Sequence, residues 1–243
     1  PPAPHGTEAG YLRFPSSGRL LAERPQSGMR RPAGGGFVEV EDKGAPEAGR
    51  AEAKQRWRRQ KRVLRDSLTP ARREGLSRLL CRRLEALLAS FGAGTVAAYS
   101  SVNGEAALSS LWEGAVAPRR LFCFPRIENG GMRFRAVTDP QGGLIPGAHG
   151  IPAPTKEAQA VELARLDAVL APGLVFDRFG GRIGSGKGYY DRFFGLLDNR
   201  PPLVGVGFSF QLVWDQPLPV GAGDLDMDWI ITDREALKCL PRT

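Results

Sequence analysis

From residue 51 onward the apolar positions switch repeatedly between helical and extended spacing. Residues 51–66 read as a basic helix. Thr69-Pro70 then supplies a cap followed by proline at the first helical position. The helix it opens carries Leu76, Leu79, Leu80, Leu84, Leu87, Leu88 and Phe91 on its apolar side. Thr95–Ser100 suits a buried strand, and 106–116 a helix with Leu108, Leu111 and Trp112 inward. Further strands are predicted at Leu121–Phe124, Met132–Val137, Ala168–Phe176, Leu203–Ser209 and Met227–Thr232. Trp57, Leu64 and the leucines of 76–88 are expected in the core. Continuous apolar strands spaced by helices imply a parallel sheet covered on both faces, with ligands gathering beyond the carboxyl ends of its strands.

Residues 1–50 show no such periodicity. They are rich in Pro, Gly, Arg, Glu and Ser and include Gly34-Gly35-Gly36. That composition cannot bury enough apolar surface to offset its ordering entropy, so the segment is expected to be mostly disordered, with the folded domain spanning 51–243. It lacks the apolar stretch of a secretory signal. Arginines around Met29–Arg31 suggest an organelle presequence, and Glu8, Glu23, Glu39, Glu41 and Asp42 argue against one. Import through this segment stays open beside a cytoplasmic location.

Composition narrows the chemistry. With 243 residues the chain can form one sizeable α/β domain plus extensions, and no apolar run reaches the length of a membrane span. Cys81, Cys123 and Cys239 are odd in number, far apart and without metal-ligand spacing, which points to a reducing compartment. His5 and His149 cannot build a histidine metal cluster, so any metal is expected to be oxygen-bound magnesium. The net charge of +8 calls for an anionic partner, either nucleic acid or a polyanionic small molecule. Much of the basic crowding over 54–83 is also what the solvated face of a helix looks like.

The most informative stretch is Arg182 to Arg192, Arg-Ile-Gly-Ser-Gly-Lys-Gly-Tyr-Tyr-Asp-Arg. Glycines at 184, 186 and 188 let the backbone approach a ligand closely and take positive φ. Arg182 and Lys187 bracket the loop, and an amphipathic run follows as a helix. Such a loop gathers free N–H groups suited to phosphate. Asp191, one turn in, is placed to hold a metal riding on that phosphate. Gly181 to Lys187 also satisfies the spacing of a P-loop, but Gly188 stands where Ser or Thr should hold magnesium.

Pro172-Gly173 through Phe176-Asp177, then Gly180, then this loop through Tyr189-Tyr190-Asp191-Arg192 closely resembles the signature of the 5-formyltetrahydrofolate cyclo-ligases, or methenyltetrahydrofolate synthetases. The resemblance runs from Lys54-x-x-Trp57-Arg58 to about residue 233. Between them it takes in Tyr99, Gly104-Glu105, Phe124-Pro125-Arg126, Gly150-Ile151-Pro152, Asp224, Asp228 and Ile230-Ile231-Thr232. Trp57 replaces a leucine, Gly223 stands where that family often has histidine, and the N-terminal extension is long. The resemblance implies a single three-layer, Rossmann-like α/β domain with a mostly parallel sheet flanked by helices, of the NagB/RpiA/CoA-transferase-like kind. It also implies conversion of 5-formyltetrahydrofolate to 5,10-methenyltetrahydrofolate in folate one-carbon metabolism, with ATP and Mg²⁺ as cofactors. In that chemistry the formyl oxygen is phosphorylated to an imidoyl phosphate before the ring closes.

Carried onto this sequence, the resemblance implies that Lys54 and Arg58 reach ATP phosphates, with Arg182, Gly184, Ser185, Gly186, Lys187, Gly188, Tyr189 and Tyr190. Lys187, Arg182 and Tyr189 are the implied catalytic residues. Glu105 would meet the pterin, with Ser185 to Tyr189 bordering both substrates, and Asp191 and Asp224 would hold Mg²⁺. Asp226 and Asp228 remain alternatives to Asp224, and His149 either falls where relatives carry an aromatic stacking residue or is a lone surface histidine. A monomer acting on ATP and a folate is expected, with no nucleic acid or membrane. Two other classes stay on the table: a cyclo-ligase-like nucleic-acid binder using the basic 54–83 region, and another ATP-dependent small-molecule enzyme. The first lacks any RNA-binding aromatic motif or zinc spacing.

Overall fold

The computed structural model describes residues 47–113, 120–128, 131–194 and 200–242. Two long helices lead: α1 (Glu47–Asp66) and α2 (Pro70–Ser90). The Thr69 hydroxyl accepts from Arg72 N at 3.2 Å, so the cap read from the sequence is formed. Helix α1 begins at Glu47, so the last four residues of the stretch expected to be disordered are helical; the rest of that stretch lies outside the described residues.

Strands follow as β1 (Thr95–Ala97), β2 (Leu121–Glu128), β3 (Gly131–Val137), β4 (Ile145–Pro146), β5 (Pro152–Ala153), β6 (Ala168–Pro172), β7 (Val175–Asp177) and β8 (Arg182–Ile183). A short helix, α3 (Tyr189–Phe194), precedes β9 (Leu203–Val206), β10 (Leu212–Val213), β11 (Trp229–Ile231) and β12 (Ala236–Lys238). The main sheet has seven strands in the order β12-β11-β9-β6-β1-β2-β3. Its interior pairs, β2 with β1, β1 with β6, β6 with β9 and β9 with β11, are parallel; both edge pairs are antiparallel.

Successive side chains on these strands point to opposite faces, and two apolar clusters result. Val96, Phe122, Phe124, Leu170, Val204 and Ile231 meet Leu80, Leu84, Leu87 and Leu88 of α2 on one face. Ala97, Cys123, Phe134, Val169, Leu203 and Ile230 meet Phe176 and Phe194 of α3 on the other. Each fully buried leucine or phenylalanine contributes about 1.5–3 kcal/mol. A third, smaller cluster joins α1 through Trp57 to the sheet β10-β7-β8.

Four expectations need correction. The run 168–176 is two strands in two sheets. Gly173 interrupts it: a Cβ there would fall 2.5 Å from the Phe176 ring, which closes against the bare backbone as the chain folds back. The strand from Thr95 ends at Ala97, since Tyr99 Oη and Ser100 Oγ turn to the carbonyls of Ala106 and Pro152. In 106–116 the predicted apolar positions are buried or half-buried, yet the described part forms only a 3-10 turn, Ser109–Leu111. It has no side-chain cap and two serines, which compete with helical hydrogen bonds. Leu64 and Leu79, expected inward, are each 43% exposed. The basic helix turns Leu64 outward.

Candidate active site

Taken in chain order, the five parallel strands β2-β1-β6-β9-β11 run 2-1-3-4-5, so the order reverses between β1 and β6. Their carboxyl ends part there and leave a crevice, the usual ligand position in open α/β sheets. A cleft of about 680 Å³ opens at that point. Tyr99 and Ser100 line it beyond β1, and Pro172, Gly173 and Leu174 beyond β6. Helix α1 contributes Lys54, Arg58, Arg62 and Arg65, and the loop after β8 contributes Gly184 through Asp191. Glu105, His149 and Asp224 complete the wall. Every residue singled out in the sequence as a site candidate therefore borders one cavity, except Asp226 and Asp228, the alternatives to Asp224.

Asp177 governs how the glycine loop is delivered. It is fully buried at the end of β7. Its Oδ1 accepts from Phe179 N and Gly181 N at 2.8 and 2.9 Å, and its Oδ2 from Leu218 N at 2.7 Å and Arg242 at 3.2 Å. A buried carboxylate this well partnered is tolerated, and it locks the turn that leads into Arg182. Beyond Ile183 the loop leaves the sheet, with Gly186 and Gly188 at φ +102° and +64°. Helix α1 braces it, Arg58 Nε donating to Gly184 O at 3.0 Å.

The backbone N–H groups of residues 185–188 make no hydrogen bond among the described residues. The Lys187 side chain is exposed and likewise has no ion pair among them. This end of the cleft thus presents several free donors and a free cation, which suits an anion.

The two candidate metal ligands behave differently from the lysine. Asp191 Oδ1 accepts from Arg182 Nη2 at 2.9 Å and from Leu225 N at 3.2 Å. Asp224 Oδ2 accepts from Lys54 Nζ at 2.5 Å and from Gly221 N at 2.7 Å. The Leu225 bond draws Asp191 against the segment that carries Asp224. Each carboxylate keeps one oxygen, Asp191 Oδ2 and Asp224 Oδ1, with no hydrogen bond among the described residues. No group of three or more His, Cys, Asp or Glu side chains gathers there among the described residues. Two such carboxylates fit a hard cation that completes its shell with phosphate and water oxygens. The alternatives are committed elsewhere: Asp226 to Arg242 at 3.0 Å and Asp228 to Arg200 and Leu203 N. Arg182, 7% exposed, bonds Asp191 and the Pro172 carbonyl, and its guanidinium lies 5.4 Å from the Tyr190 ring centroid.

The other end of the cleft is drier. Glu105 takes one bond, from Val102 N to Oε2 at 3.2 Å. Burial pushes its carboxyl above the ordinary range, against the opposing pull of that bond and of Arg65. Burial likewise raises the Tyr190 phenol, whose Oη is enclosed without a hydrogen-bond partner. His149 sits at φ +60°, a strained conformation for a non-glycine residue, with its Nε2 3.0 Å from Tyr189 Oη across the cleft. It is exposed, and this contact pairs it.

The comparisons with known proteins match this arrangement. Residues 50–233 fit the model of the 5-formyltetrahydrofolate cyclo-ligase family. The chain belongs to that family. It is 30% identical over 176 residues to the 5-formyltetrahydrofolate cyclo-ligase of Escherichia coli strain K12, covering 65% of this chain and 93% of that one. It is 30% identical over 151 residues to a probable 5-formyltetrahydrofolate cyclo-ligase of Caenorhabditis elegans, covering 57% and 72%. The solved 5,10-methenyltetrahydrofolate synthetase of Aquifex aeolicus superposes with a TM-score of 0.67 at 29% identity, covering 78% of this chain and 94% of that one. The cyclo-ligase family is one of ATP-dependent ligases, and the large, mostly parallel sheet is shared with the Aquifex structure.

Sequence reading missed Asp177 and Arg65 as contributors to this cyclo-ligase cleft. Asp177 stood in the quoted signature without a role of its own, and the Gly180-Gly181 after it marks a turn. Arg65 was hidden among its basic neighbours.

Proposed function

We propose that this chain closes 5-formyltetrahydrofolate to 5,10-methenyltetrahydrofolate with ATP, releasing ADP and phosphate. The reading rests on one observation within a cyclo-ligase chain. A loop of free N–H groups with a free lysine shares its cleft with a desolvated carboxylate at the far end.

In this reading the triphosphate lies along Gly184 to Gly188, reached by Lys54, Arg58, Arg182 and Lys187, with Tyr190 behind the loop. The folate lies between Tyr189 and Glu105, with Ser185 to Tyr189 bordering both substrates. The formyl oxygen attacks the γ-phosphorus, forming an O–P bond as the bridging P–O bond to ADP breaks. The N10 lone pair then adds to the activated formyl carbon, phosphate leaves with the C–O electrons, and the N10 proton is lost to solvent. Phosphoryl transfer asks mainly for positioning and charge dispersal, so no nucleophilic side chain is required. Lys187, Arg182 and Tyr189 are the proposed catalytic groups: the cations spread charge on the γ-phosphoryl, and Tyr189 sits at the junction of the two substrates. Bound Mg²⁺ would neutralise phosphate charge, held by Asp191 and Asp224 through their free oxygens. Lys54 and Arg182, which hold those carboxylates here, would pass to phosphate.

The three-layer, Rossmann-like assignment of the NagB/RpiA/CoA-transferase-like kind goes with this reading, supported by the apolar clusters on both sheet faces. So does a monomer whose positive charge serves anionic substrates rather than nucleic acid. Near-ultraviolet absorbance of purified protein with 5-formyltetrahydrofolate and MgATP tests the function. The methenyl chromophore should grow in, and be absent without ATP. A flat trace from folded, ATP-binding protein would assign the cleft to another substrate.

A further inference from the structure

Arg65 is the anomaly among the buried arginines. Only 5% of its surface is exposed, yet among the described residues its side chain makes no hydrogen bond and no ion pair. Its Nε is fully enclosed without a partner, as are those of Arg73, Arg126 and Arg182, but each of those three has another guanidinium nitrogen bonded. Arg120, Arg126, Arg135 and Arg182 are each held by carboxylates or carbonyls. A guanidinium taken out of water without a partner is costly, and native structures keep such a group where a ligand satisfies it.

Arg65 is held in place by its stem. It lies in the last turn of α1, over the turn Asn103-Gly104, both at positive φ. Its Cγ is 3.5 Å from where a Gly104 Cβ would stand, so the stem packs against the backbone of that turn. The head lines the cleft. Its charged surroundings are mixed: Glu105 and Asp66 favour the cation, Arg62 opposes it, and burial outweighs them all. Tyr190 Oη, a second enclosed and unpaired donor, lines the same cleft and feels the Glu105 charge. This end therefore offers the free oxygen of Glu105 as an acceptor beside donors with nothing to bond.

We propose that Arg65 contacts the folate directly, donating to the ring carbonyl while the adjacent Glu105 accepts from the ring N–H. The inference rests on the folate reading above and deepens it. The pair would read the C=O and N–H edge of a 4-oxo pteridine and reject a 4-amino ring, which turns a donor toward the guanidinium.

Equilibrium binding of 5-formyltetrahydrofolate and of its 4-amino-4-deoxy counterpart to full-length wild type, Arg65→Met and Arg65→Lys tests this, with ATP affinity and Tm measured alongside. Arg65→Met should weaken 5-formyltetrahydrofolate binding about 10–100-fold, as expected for a lost bond to a charged donor. It should also shrink the preference for the 4-oxo ring by roughly tenfold. ATP affinity should hold, and Tm should stay level or rise, because an unpaired buried charge is gone. Arg65→Lys, without the planar fork, should recover affinity only in part. A fall in Tm with loss of both ligands, an unchanged ring preference, or full rescue by lysine would overturn the contact. Wild type that fails to bind 5-formyltetrahydrofolate would instead overturn the folate reading, and this inference with it.

Discussion

The two ends of the cleft solve opposite problems. At the glycine loop carboxylates are paired with cations, and backbone N–H groups and the exposed Lys187 are left free. At the Glu105 end the polar groups are desolvated, and donors and acceptor stand largely unpaired. A hydrated polyanion can be received by exchanging ion-pair partners, at little cost in dehydration. A neutral heterocycle offers no net charge, so selectivity there has to come from buried groups whose needs only the right ring meets.

Substitutions at the two ends should therefore separate. Lys187→Ala should give the largest loss, about 10²–10³-fold in turnover followed by methenyl absorbance, since a cation on the transferring group acts in the transition state. Its exposed side chain makes no described contact, so Tm should not move; a Tm drop would make the loss one of folding. Asp191→Asn should cut turnover about 10²-fold and raise the Mg²⁺ needed for half-maximal rate. Unchanged magnesium dependence would remove Asp191 from the metal site.

Glu105→Gln should instead raise the KM for folate by about 10–50-fold while leaving that for ATP alone. A matching rise for ATP would erase the distinction between the ends. The same variant has a stability signature. Because burial holds the Glu105 carboxyl above its ordinary range, the folded chain binds this proton more tightly than the unfolded chain. Its contribution to stability is complete below the ordinary glutamate pKa and is lost as pH rises through the raised one. Glu105→Gln should therefore melt roughly 2–4 °C higher than wild type at neutral pH, the gap closing in acid. His149→Ala, which removes one exposed bond to Tyr189, should change KM by only about two- to threefold.

Much of this was legible along the chain. Glycine, lysine, tyrosine and aspartate at fixed offsets over 184–191 state a backbone shape and a charge pattern locally, and the cleft is built around them. The parallel core was equally readable, because strands buried on both faces must be apolar throughout. Where the reading slipped, long-range packing decided. The run to Phe176 looks like one strand until Gly173 lets the ring fold back. Residues 106–116 bury the predicted leucines without a helix. Leu64 looks like core only to an eye that cannot see which face of α1 meets the small sheet. Arg65 was illegible for a related reason: among so many arginines, nothing local marks the one whose partners are missing.

Lys54 and Asp224, joined across one end of the cleft, are 170 residues apart in sequence. During synthesis, then, this end of the cleft cannot be completed until almost the whole domain has left the ribosome and its two extremities have met. Nucleotide can stabilise the finished fold by mass action but cannot prompt its beginning. A chain cut short before residue 224 would carry the complete glycine signature and still lack the carboxylate that Lys54 of α1 holds.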